Sequence, residues 1–216
     1  MLRLKPLATS GALALTCCSC GGGAIGQSSL VAQPHSDKGG LLSSLDAPLA
    51  VGGTVRPEIR IDLKGSTPPP THMISVRPDI LSVDALGVTG RAPGLAALLV
   101  ATDENVVIDF VHVWVKPADR IELHAIDSSG MDVGELTESV DLAVGESLRI
   151  VPRAYAGSQV LSGATSTTWS IEPPIALALK EGLPQRRRIL ARTPGSTTIR
   201  VSALGATKTL TLKVVP

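Results

Sequence analysis

The chain has 216 residues, with 20 Lys and Arg against 19 Asp and Glu, and only 2% of it is aromatic although 44% is hydrophobic. That charge balance excludes the sustained basic surplus that nucleic-acid binding needs, and the scarcity of rings means that any core must be built from Val, Leu, Ile and Ala. All three cysteines, Cys17, Cys18 and Cys20, lie within the first 20 residues, so the remainder has neither an internal disulfide nor a cysteine nucleophile.

In chain order, residues 1–17 read as an export leader. Arg3 and Lys5 form its positive end, and Leu7 to Leu15 form an apolar segment too short to span a bilayer. Without that leader the charges are 20 − 2 = 18 basic against 19 acidic. Residues 18–40, rich in Gly and Ser, read as a flexible tether. The C-x-x-C of Cys17 to Cys20 and the G-x-G-x-x-G of Gly21 to Gly26 lack the strand-then-helix setting that gives such motifs redox or phosphate chemistry.

Residues 41–116 and 117–216 read as two all-β domains, because short runs of Val, Ile, Leu and Thr alternate with Gly and Pro punctuation. The prolines of Thr67 to Thr71 require an exposed loop. Thr102 to Asn105 is expected to turn a hairpin of strands Leu95 to Ala101 and Val106 to Val115, Lys116-Pro117 to join the domains, and Arg120 to Ile126 to open the second. Asp127 to Glu135 is an acidic loop. It lacks the register of a helix-loop-helix calcium site, so a solvated loop is the simpler expectation, and calcium binding stays open.

The two domains repeat one unit. Leu142 to Glu146 lies over Leu49 to Gly53 at an offset of 142 − 49 = 93, Ser170 to Ile175 over Ser75 to Ile80 at 95, Arg192 to Gly195 over Arg91 to Gly94 at 101, and Val215 over Val115 at 100. Four matches in one order indicate two copies of a unit whose loops differ in length. Within the second copy, Pro194-Gly195 suits a type II turn with φ > 0 at Gly195.

Val144-Gly145-Glu146, Trp169-Ser170 and Pro194-Gly195 ahead of Thr197 to Val215 together resemble the bacterial immunoglobulin-like domain of group 2, the module of intimin-like and invasin-like surface proteins. The first copy departs from the pattern, with Gly53 for the Glu and Ile74 at the Trp position. Leu15-Thr16-Cys17-Cys18 resembles a lipobox, which implies acylation of Cys18, with Cys20 as the fallback. If the cell has two membranes, the absence of Asp after that cysteine resembles an outer-membrane signal. The resemblances imply two tandem immunoglobulin-like β-sandwiches in a lipid-anchored envelope protein, without catalysis or cofactor. Its expected role is an adhesin-like binding module or spacer; the alternative is an accessory subunit of an envelope assembly. The expected partners are the membrane through its anchor, and an envelope protein or polysaccharide.

Chemical candidates are few. His35, His72, His112 and His124 show no metal-ligand spacing, and no G-x-S-x-G is present. Arg186, Arg187 and Arg188 read as a solvated turn, or as a contact for anionic headgroups or polysaccharide. Trp114 and Trp169 read as core anchors rather than sugar-stacking platforms. In the strand Val106 to Val115, the offset of 100 turns Phe110, His112 and Trp114 toward the core. It leaves Val111 and Val113 on an apolar outer face that the second domain or a partner is expected to cover.

Overall fold

A computed structural model describes residues 27–32, 45–62, 69–182 and 184–216, all of them strand, turn or irregular. The second half forms two facing sheets. One has the order β11 (Asp132–Glu135), β10 (Arg120–Ile126), β13 (Ser147–Ala156), β17 (Arg187–Ala191) and β16 (Ala176–Lys180), with β14 (Gln159–Val160) folded back on β13. The other has the order β12 (Ser139–Ala143), β19 (Ala206–Val215), β18 (Gly195–Ala203) and β15 (Thr168–Glu172). β12 runs parallel to β19, while the other pairings are antiparallel.

The first half repeats this plan. β2 (Leu49–Ala50), β9 (Val107–Lys116), β8 (Gly94–Thr102) and β5 (Thr71–Ser75) form one sheet, again with a parallel first pair. β3 (Thr54–Val55), β7 (Gly87–Gly90) and β6 (Leu81–Asp84) form the other. β1 (Gln27–Ala32) pairs with β4 (Pro57–Asp62) as β10 pairs with β13. The stretch read as tether therefore contains a strand, built on the run Ser29-Leu30-Val31-Ala32 between Gly26 and Pro34. The chain is thus two immunoglobulin-like sandwiches, each with a parallel terminal pair that closes one sheet. Cys18 and Cys20 lie outside the described residues.

Each sandwich buries an aliphatic core. Leu49, Leu81, Val88, Leu98, Val113 and Val115 fill the first, and Leu123, Ile150, Ile189, Ile199, Leu210 and Leu212 fill the second. The closing hairpins differ. Ala203 and Ala206 flank a two-residue turn in which Leu204 and Gly205 have φ of 53° and 81°, as a type I′ turn requires. In the first sandwich the longer turn places Asn105 at φ 63° and donates its N–H to Thr102 O at 2.8 Å. The register shifts between Val100 and Ala101, just before that turn. Gly195 has φ 147°, positive but far from the ~80° of a type II turn, because it opens β18 opposite Val214 instead of sitting in a turn.

The sandwiches meet at a second place besides Lys116-Pro117. Residues 161–165 leave the second sandwich and dock on the first, where Leu49 bridges Ser162 in parallel and Thr54 bridges Ala164 antiparallel. Ser162 N–H donates to Pro48 O at 2.8 Å, and Ala50 N–H donates to Ser162 O at 3.0 Å; Thr54 and Ala164 exchange both their bonds. Ser162 is fully buried there. A side chain on Gly53 would press on Ala50 O and Ser162 O at 3.1 and 3.2 Å. The joint therefore fills the space open beside exposed Glu146, which accounts for the glycine in the first copy.

Candidate interaction surface

The strand β9 presents the face opposite to the one its sequence suggested. Val113 and Val115 are 1% exposed and Val111 packs against the same core, whereas Phe110 and Trp114 are 58% and 54% exposed and His112 is also in water. The cause is register. Gly94 opposes Val115 and Gly195 opposes Val214, so β8 lies over β18 at 195 − 94 = 101 but β9 lies over β19 at 214 − 115 = 99. An error of one residue exchanges the two faces of a strand. The same slip puts Met73, not Ile74, at the Trp169 position, since Met73 opposes Val100 as Trp169 opposes Val201.

On the outside of this sheet, Leu99 lies opposite Phe110, Ala97 opposite His112 and Leu95 opposite Trp114. Ile74 lies beyond Leu99, and exposed Val76 donates its N–H to Ala97 O. The Phe110 and His112 rings meet edge to face, with centroids 5.5 Å apart and planes at 84°. The result is one continuous water-facing apolar face with no carboxylate, ammonium or guanidinium group among these eight residues.

The arginine run is not a solvated turn. Arg186 and Arg187 are buried, and only Arg188 is exposed, because β17 starts at Arg187 and alternation sends that side chain inward. Arg187 donates to Pro184 O at 2.7 Å and lies over the Trp169 ring at 5.8 Å from its centroid, a cation–π contact. Burial holds the Arg186 guanidinium below its ordinary pKa. Trp169 packs against the second core as expected and donates its indole N–H to Thr167 Oγ1 at 2.9 Å.

A polar network lies on the outer face of the β10–β13 sheet. Glu122 lies opposite Arg153, Arg120 opposite Tyr155, and buried His124 opposite Val151. His124 Nδ1 is 3.0 Å from an Asp132 oxygen, its Nε2 is 3.3 Å from the Tyr155 hydroxyl, and Arg153 also reaches Asp132 at 2.8 Å. Burial would raise the Glu122 carboxyl, but hydrogen bonds from Tyr155, Arg120 and His124 outweigh it and hold the group below its ordinary value. Burial first, and the Glu122 carboxylate second, push the Tyr155 hydroxyl up to about 12. The guanidinium of Arg120 lies 4.4 Å from the Tyr155 ring centroid.

This network braces the sheet face through the ion pairs of Arg120 with Glu122 and of Arg153 with Asp132. Glu122 and Asp132 are each engaged by a cation or an N–H, and the Tyr155 hydroxyl is the group nearest His124 Nε2. In the acidic loop, Asp127 Oδ1 accepts from Ser129 N, Ser129 Oγ and Met131 N at 2.6–2.9 Å, which shapes the turn itself. Among the described residues no group of three or more His, Cys, Asp or Glu side chains is placed to hold a metal ion.

No protein-family model matches this chain, and neither does any curated protein. Solved structures similar to it include domains 4 and 5 of the S-layer protein SbsC (16% identity, 72% of this chain and 82% of that one, TM-score 0.35). Others are InvD of Yersinia pseudotuberculosis (15%, 88% and 57%, 0.33) and the D00-D0 domain of intimin (9%, 88% and 100%, 0.32). At such identities and scores the likeness is distant, and the immunoglobulin-like assignment rests on the strand order and the parallel terminal pairs of this chain itself.

Proposed function

We propose that this chain is a non-enzymatic, exported module of the cell envelope, lipid-anchored through Cys18, whose two sandwiches act as a binding unit or spacer. The observation that carries the reading is the joint at Leu161 to Thr165. It ties the sandwiches together by backbone bonds at Pro48, Ala50 and Thr54, in addition to the covalent link at Lys116-Pro117. A unit braced at two points presents its faces in a fixed relation, which suits holding a surface away from a membrane. The leader of residues 1–17 and the Leu15 to Cys18 pattern support the anchor.

The test uses cells expressing the full chain and fed labelled palmitate. The label is expected in the parent and lost in Cys18→Ala, and protease added to intact cells is expected to remove the folded body. Label kept in Cys18→Ala and lost in Cys20→Ala moves the anchor to Cys20. A chain that stays unlabelled and wholly protease-protected overturns the reading.

A further inference from the structure

The chain holds four aromatic residues, two Trp, one Tyr and one Phe. Tyr155 is buried and Trp169 packs on the second core, so those two serve the second sandwich. The other two stand in water on one face of one strand. Burying either ring would stabilise a core otherwise made of aliphatic groups, and their exposure therefore points to a use outside the fold. Phe110 and Trp114 are four residues apart, about 13 Å at ~3.4 Å per residue. His112 stands between them with its ring set edge-on to Phe110.

What fits this face follows from its charge and extent. Leu95, Ala97, Leu99, Ile74 and Val76 surround the rings without a charge. The polar groups at the ends of the face are already engaged, Lys116 with Gln159 and His72 with Asp103, so the centre has no charge to hold an ionic polymer. Three strands ~4.8 Å apart and five residues long cover on the order of 250 Å². A standard protein interface needs about 800 Å² from each partner. A sugar chain meets both limits. One face of a pyranose ring presents C–H groups, which sit against the negative face of an aromatic ring without requiring charge. Its hydroxyls lie within reach of a histidine that both donates and accepts.

We propose that the outer face of β5, β8 and β9 is a platform for a neutral glycan, with sugar rings stacked on Phe110 and Trp114 and His112 bonding to hydroxyls between them. The proposal deepens the reading of the chain as a surface binding module and rests on it for its biological sense. The test is electrophoresis of the purified full chain through native gels containing dextran, galactomannan or glucomannan. Retardation is expected in at least one of them. It should weaken by tenfold or more in Trp114→Ala and severalfold in Phe110→Ala, with no change in Thr211→Ala on the second sandwich. Equal urea midpoints for parent and variants separate loss of binding from loss of fold.

Retardation by none of the three polysaccharides, or retardation unchanged by Trp114→Ala, overturns the platform. So does a dimer seen by sedimentation that Trp114→Ala dissolves, because the face then belongs to a protein contact. The gel reads the purified chain, and so it stands apart from the palmitate and protease experiment on cells. A surface-exposed chain that no gel retards refutes the glycan and keeps the envelope module.

Discussion

The two sandwiches share their inner faces and differ in their outer ones. Inside, Leu98 and Ile199 occupy the same place with no exposure at all, and Val113 matches Leu212. Outside, Leu95, Ala97 and Leu99 on β8 correspond to Ser196, Thr198 and Arg200 on β18, while Phe110, His112 and Trp114 on β9 correspond to Thr209, Thr211 and Lys213 on β19. Ile74 likewise corresponds to Ser170. The fold constrains the inward positions of a strand and leaves the outward ones open to other demands. One copy has a wettable face, and the other has kept or acquired an apolar one, which marks the first sandwich as the place to seek a ligand.

The largest expected effect tests the shared inside. Leu98→Ala and Ile199→Ala should each cost about 3 kcal/mol, from lost burial and the cavity left behind. Urea unfolding of the two variants should show similar losses, and a loss in only one would mean that the cores are not equivalent. A smaller effect separates the two opening glycines. Gly94 and Gly195 have φ of 152° and 147°, so alanine is strained in both, by about 1–3 kcal/mol. A Cβ at 94 would also lie 2.7 Å from Ile80 Cδ1, against 3.5 Å from Ile175 Cδ1 at 195. Gly94→Ala should therefore be the worse by about 1 kcal/mol, read as the difference between urea midpoints.

Alkali should loosen the second sandwich, which holds the chain's one tyrosine. The Tyr155 hydroxyl is raised from 10.0 to about 12 in the fold, so the folded chain keeps a proton that the unfolded chain gives up first. Its contribution is complete below pH 10 and is lost as pH rises from 10 through about 12. Unfolding midpoints compared with Tyr155→Phe over that range should converge as the pH rises, and parallel curves would refute the shift. The smallest effect concerns the outer faces. Phe110→Thr with Trp114→Lys, copying the second sandwich, should change stability by less than about 1 kcal/mol. A much larger loss by urea unfolding would show that the first sandwich needs its rings.

Strand positions were legible in the sequence wherever alternation was clean. The hairpin of β18 and β19, with Leu210, Leu212 and Val214 inward and Thr and Lys outward, follows directly from Thr209 to Val214. Arg120 to Ile126 was placed to the residue. In β9, by contrast, Val, Ile, Phe and Trp occupy both faces, so hydrophobicity could not fix the phase. The register shift at Val100 and Ala101 and the longer turn that decide it have no apolar signature. Arg186 and Arg187 were misread for a related reason: charge and the nearby Pro184 suggested a turn, while the Trp169 ring that receives Arg187 lies far away in sequence. The joint at Ser162 was invisible because backbone groups make most of it, with the Ser162 hydroxyl donating to Ala47 O and Pro48 O, and backbone groups carry no side-chain pattern.

The parallel terminal pairs give the chain a mechanical grading. A pull on both ends slides parallel strands past each other in shear, so the bonds of such a ladder resist together instead of opening one after another. β12 and β19 are in register over five pairs, Ser139 with Thr211 to Ala143 with Val215, whereas β2 and β9 share two, Leu49 with Val115 and Ala50 with Lys116. Pro48 takes the place of Asp141 beside this ladder and has no N–H to add a rung. Against sliding of these two pairs, the ladder of the first sandwich is therefore the weaker.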